Sequence, residues 1–262
     1  MAIVAVVLVV GAAGVWFLTR AAAPKPGLTT ADIPALQVTP AQVQPGAAVP
    51  VSLAADPVIP AKQGATGAGQ PTSLTDWANR VGGVTGIPEP ALWAYGNAEL
   101  AVRASEPDCG LTWATLAGIG RVESDHGQFG GAHLLANGEE SQPVIGVPLD
   151  GTGGVADIPD TDHGHWDGDP VHDHAVGPMQ FLPSTWVEYG ADALGNGQPD
   201  PENIDDAALA AARYLCVGGR NMATASGWWS GIMAYNDSAQ YGQKVFGMAD
   251  EYARQAYAAL NR

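Results

Sequence analysis

The chain has 262 residues, 46% of them hydrophobic, which is enough for one substantial core with flanking segments. Its formal net charge is −16, and 25 of its 27 acids fall from Thr75 onward, against 8 of its 11 Lys and Arg. Such a surface repels phosphate backbones, which argues against nucleic acid as a partner and leaves neutral or cationic molecules and hard cations.

Residues 1–19 contain an uncharged apolar run, AIVAVVLVVGAAGVWFLT, just long enough to cross a bilayer, followed by Arg20 and Lys25. It reads as a retained anchor, with a cleaved signal as the alternative because Ala21-Ala22-Ala23 offers small residues for cleavage. Either form takes the remainder out of the cytoplasm: membrane-anchored in the first case, secreted in the second. Residues 20–72 are rich in Ala, Pro, Gly, Val and Gln, the composition of an extended, semi-rigid spacer.

From residue 73 to 262 the texture becomes helical. Thr75-Asp76 is placed to cap a first helix, and Pro88 and Pro90 to open a second whose Ala91, Leu92, Tyr95, Ala98 and Val102 recur at helical spacing. Thr112 is placed to cap a third, WATLAGIGRVESDHG. Later helices are expected from about Asp205 to Cys216, around Trp228 to Ala234, and along the apolar steps Tyr241, Val245, Met248, Tyr252 and Ala256. No β-rich stretch competes, so the fold class is all-α with long loop insertions.

The third helix carries the first chemical signal. Counting back from Glu123 by four and seven reaches Ile119 and Leu116, so the carboxyl lies on the apolar face. Burial there penalises the charged form and raises the pKa, which suits a general acid. A helix that simply ends at Glu123, with the side chain bent to water, fits the fragment equally well.

Gly130 to Ala175 is a 46-residue insertion without helical period, holding nine acids, no Lys or Arg, and five of the six histidines. A loop that long is expected to form a lid or groove wall. Its cluster DTDHGHWDGDPVHDH offers metal-ligand types, but the His spacing fits no standard zinc pattern, and a solvated loop is favoured. In DALGNGQPDPEN, Asp192, Asn196 and Asp200 fall at positions one, five and nine of an EF-hand-like register, with Gly197 at six. Leu194 spoils position three and Asn203 replaces the carboxylate at twelve, so a weak calcium loop competes with an Asx-rich turn. Cys109 and Cys216 are expected to pair in an oxidising compartment, with two buried thiols as the alternative.

Two further motifs interleave polar groups with aromatics. GPMQFLPSTW places Gln180 between Met179 and Phe181, and Ala234-Tyr235-Asn236 closes the segment that begins at Trp228-Trp229. Aromatic faces take the apolar side of sugar rings, while amides and phenols take hydroxyl and acetamido groups.

Glu123-Ser124, GPMQFLPSTW and Ala234-Tyr235-Asn236, in that order within a helical domain, resemble the lytic transglycosylases of bacterial cell walls, closest to the membrane-bound murein transglycosylase B type of actinobacteria. The resemblance covers about Leu74 to Arg262. It implies a lysozyme-like α fold and cleavage of the β-1,4 bond between N-acetylmuramic acid and N-acetylglucosamine in peptidoglycan strands. It also implies Glu123 as acid and then base, with Ser124, Gln180, Tyr235 and Asn236 lining the site and Met179 and Phe181 shaping the groove. No cofactor is required on this reading, structural calcium being the one option, and no protein partner is identified. Ordinary glycosidases use two carboxylates, whereas this type manages with one because the substrate's acetamido group stabilises the oxocarbenium-like centre. The alternatives are a lysozyme-type muramidase drawing a second acid from Asp125 to Asp173, a non-catalytic wall-binding scaffold, and a metal-dependent amidase using His163, His165, His172 or His174.

Overall fold

The computed structural model describes residues 73–260. The expected membrane segment and linker lie outside them. Among the described residues no helix is long and apolar enough to cross a membrane, and there is no strand.

Helix α1 spans Leu74–Thr85. Its cap is Ser73, whose hydroxyl accepts from the Asp76 N–H, two residues before the expected Thr75. Helix α2, Glu89–Ser105, opens behind Pro88 with Pro90 in its first turn, where a missing N–H costs nothing. Helix α3 runs Trp113–Ser124. Thr112 sits at its N-cap but its side chain accepts no bond there. The buried Glu99 carboxylate of α2 instead accepts from the Trp113 N–H at 2.7 Å and pairs with Arg103. A charge normally costly to bury is thereby held between a helix N-terminus and a guanidinium.

Within the Gln180 motif a short helix that the sequence reading left unassigned, α4 (Pro183–Tyr189), starts on a proline. Helix α5, Ile204–Cys216, is capped by the Asn203 side chain, which accepts from Asp205 N. Helices α6, Ala225–Tyr235, and α7, Ala239–Leu260, complete the domain. The core joins α3 to α7 and α2 to α5, with α1 against α2 and α7. Trp77 and Trp113 meet edge to face at 5.3 Å, and the Trp228 indole donates to Thr115. Gly118 permits the closest approach: a Cβ there would lie 2.6 Å from the Val245 carbonyl oxygen of α7.

Cys109 and Cys216 form a disulfide with a Cα separation of 5.6 Å, tying the start of α3 to the end of α5 across 107 residues. In the chain-entropy picture a loop of that size contributes about 4 to 5 kcal/mol.

The long insertion is more structured than its lack of period suggests. Isolated antiparallel bridges join Leu134 to Glu140, Ile145 to Val176, Asp150 to Asp157 and Pro159 to His172. Its acids serve as local staples. Fully buried Asp173 accepts from both the N–H and the hydroxyl of Thr161, and Asp160 accepts from Asp162 N and Gly164 N. Side chains that hold backbone donors carry no 3.6-residue signature, which is why period alone misses this order.

Candidate active site

Glu123 occupies the last turn of α3, half-buried. Past it the chain turns sharply: Asp125 and His126 both take positive φ, at 55° and 60°, and the His126 N–H closes back on the Gly120 carbonyl at 2.9 Å. The turn is held from below. The His126 ring is 2% exposed and sits between two phenols, its Nδ1 3.1 Å from Tyr95 Oη and its Nε2 3.1 Å from Tyr252 Oη. Burial, and then the Arg121 charge, push this imidazole down to about 3, so it stays neutral and structural. Gly120 makes room for the arrangement, since a Cβ there would overlap the Tyr95 hydroxyl.

One phenol reaches the acid. Tyr241, in the first turn of α7, donates to Glu123 Oε1 at 2.5 Å. Burial pushes the Glu123 carboxyl up to about 7, and the Tyr241 hydrogen bond pulls in the opposite direction. Sequence reading placed Tyr241 among the apolar steps of the last helix, where it does fall. Only its position opposite the end of α3 gives its hydroxyl a second use.

The hydroxyls of Tyr235 and Ser124 both bond to the Gln180 loop. The Tyr235 hydroxyl donates to the Met179 carbonyl at 2.7 Å, and buried Ser124 donates to the Pro178 carbonyl at 2.6 Å while accepting from Gly127 N. Two successive carbonyls of the motif loop are thus pinned, one from α3 and one from α6. Met179 and Phe181 are 0% and 3% exposed, so both side chains pack inside the domain. Phe181 packs edge-on against Trp186 and Tyr235.

Gln180 adopts φ 49°, and its amide donates to the carbonyls of Val144 and Gly177 at 3.0 Å each. Its two N–H donors are therefore spent on the loop rather than left for a ligand. Asn236 is exposed just after α6 and makes no side-chain hydrogen bond, which leaves its amide free at the surface.

Beneath the loop lies a pair of acids that sequence reading did not single out. Glu202 accepts from Val144 N at 3.0 Å and from Gly177 N at 3.1 Å. Burial, and then the Glu202 charge, push neighbouring Glu140 up to about 9, so it is protonated at neutral pH. Neither acid alters the state of Glu123, which is set by burial and Tyr241. Asp125 turns away to pair with Arg121.

In the Asp192 loop, Asp192 accepts from Asn196 N and Gly197 N, Asn196 from Gln198 N, and Asp200 from Glu202 N. Leu194 is 45% exposed, and the Asn203 oxygen is engaged as the α5 cap. The loop holds three acids, Asp192, Asp200 and Glu202, and each accepts from backbone N–H groups. In the insertion the histidines do not converge: His174 bonds to the Gly146 carbonyl and Asp169, while His163 is exposed. The one set of three metal-ligand types within 4.8 Å among the described residues is Asp160, Asp162 and Asp173, an all-oxygen group unlike a zinc site.

No curated protein and no solved structure matches the chain. The matched segment in the family comparison contains the Gln180 motif, α4 and α5, but not Glu123, Tyr235 or Tyr241. Residues 163–228, roughly a quarter of the chain, are similar to the family described as Transglycosylase SLT domain, which supports a peptidoglycan transglycosylase relationship in general terms.

Proposed function

We propose that the chain cleaves the β-1,4 bond between N-acetylmuramic acid and N-acetylglucosamine in peptidoglycan and leaves 1,6-anhydromuramic ends. The observation that carries this reading is Glu123 itself: a half-buried carboxyl raised to about 7, hydrogen-bonded to Tyr241, beside a loop matched to a transglycosylase family. A group poised near neutrality serves as acid and as base in turn. Protonated Glu123 donates to the leaving glycosidic oxygen. The carboxylate then accepts a proton from the muramyl 6-hydroxyl, whose oxygen closes onto the anomeric carbon. Water is not consumed, and no step needs a metal.

Tyr241 keeps the carboxyl oriented and stabilises its anionic form between the two transfers. Ser124 and Tyr235 hold the Gln180 loop in place, while Asn236 offers a free amide to sugar substituents. Calcium at Asp192, Asn196 and Asp200 would be structural on this reading. The apolar run of residues 1–19 would hold the domain at the outer face of the membrane, or be removed to release it.

Mass spectrometry of digested peptidoglycan tests the proposal. Anhydro ends are expected, and Glu123→Gln should abolish them while strand binding survives. Reducing ends would identify a hydrolase, and glycan binding without any product would identify a scaffold.

A further inference from the structure

A cavity of about 390 Å³ opens where the start of α2 faces the start of α5. Glu89, Pro90 and Trp93 line one side, Asn137 and Gly138 of the insertion another, and Asp205 and Leu194 the third. No Lys, Arg or His lines it. Asp205 is 8% exposed, yet its carboxylate accepts no hydrogen bond: the Asn203 side chain takes the Asp205 N–H, and neighbouring Asp206 is the acid that holds Ala193 N and Asp200 N. Burial and the charges of Asp206 and Glu89 all oppose its ionisation. An unpartnered carboxylate with a second acid beside it is costly unless a cation arrives.

The surroundings keep that oxygen uncovered. Gly138 has φ +81°, and a Cβ there would stand 2.5 Å from Asp205 Oδ2, so a side chain at this position would fill the approach. Trp93 and Pro90 supply apolar wall and an aromatic surface, and Leu194 is exposed. Glu89 and Asp205 are the only acids in the lining, and Pro90, Trp93 and Leu194 offer no side-chain oxygen, so the walls suit an ion that carries its own apolar surface better than a bare hard cation. Two carboxylates beside an indole and aliphatic surface suit a primary ammonium at the end of an alkyl chain.

The cavity lies toward the end of the bundle that carries Glu123. Helices α2 and α3 run antiparallel, since Glu99 meets Trp113 N while Tyr95 meets His126. From Tyr95 to Glu89 is a further six residues, about 9 Å of helix. Three extended peptide residues span about 10 Å. We propose that this cavity binds the side-chain amine of the diamino acid in the peptide stem of a glycan strand, which rests on the peptidoglycan reading above.

Titration calorimetry with the full chain tests the site without relying on turnover. The probes are the tripeptide N-acetyl-L-alanyl-γ-D-glutamyl-L-lysine and its Nε-acetyl form. The free amine is expected to bind at least about tenfold more tightly, as the loss of one charge-assisted bond implies. Glu89→Gln and Asp205→Asn, each nearly isosteric, should reduce that preference, with folding checked by circular dichroism. Equal binding of the two probes to the parent chain, or an undiminished preference in both folded variants, would overturn the proposal. Amine-dependent binding by a chain that yields no glycan product would uphold the cavity and refute the enzymatic reading instead.

Discussion

Replacing Tyr241 with Phe isolates the contact on which the proposed chemistry turns. The ring is 8% exposed, so Phe keeps the packing and removes only the donor to Glu123 Oε1. A hydrogen bond to a charged group contributes about 1.5 to 3 kcal/mol, and 1.36 kcal/mol corresponds to one pKa unit. Because Tyr241 lowers the Glu123 pKa, its loss should raise that value from about 7 by about one to two units. The first transfer needs protonated Glu123, so activity exists below this pKa and is lost as pH rises through it. The alkaline limb of the pH–rate profile on purified peptidoglycan should therefore move up by about one unit or more. An alkaline limb that stays in place, or moves to lower pH, would refute the assignment of Tyr241 and of the titrating acid together.

Other expectations concern the support of the site. Glu140→Gln should stabilise the protein at neutral pH: the folded chain holds that proton from the ordinary 4.5 up to about 9, so stability falls as pH rises through this window. The gain, read from thermal melts at pH 5 and pH 8, should be about 1 to 3 kcal/mol at the higher pH and small at the lower. Gly118→Ala should cost about 1 to 3 kcal/mol by forcing α3 off α7, and should lower kcat/KM by displacing Glu123 from Tyr241. Replacing Cys109 and Cys216 together with Ala should lower stability by about 2 to 5 kcal/mol in denaturant titrations.

Helical spacing sufficed to place α2, α3, α5 and α7, because their buried faces repeat along the chain. It also put Glu123 on the buried side of α3, where the structure has it. What it could not deliver were partners distant in sequence. Tyr241 reaches Glu123 across 118 positions, Tyr235 reaches Met179 across 56, and Glu202 reaches Val144 across 58. Each looks like packing or loop until tertiary contacts choose its use. The same gap explains the caps: Glu99 of α2 satisfies the first donor of α3, a task that local rules assign to Thr112.

The position of Glu123 at the C-terminal end of its helix has a consequence of its own. Peptide dipoles in α3 gather partial negative charge at that end, where Glu123 sits. An anion is poorly tolerated there, so the backbone direction itself favours retention of the proton. The same side chain moved to the first turn of such a helix would meet the positive pole and surrender its proton more readily. Chain polarity thus assists the acid before any neighbouring residue contributes.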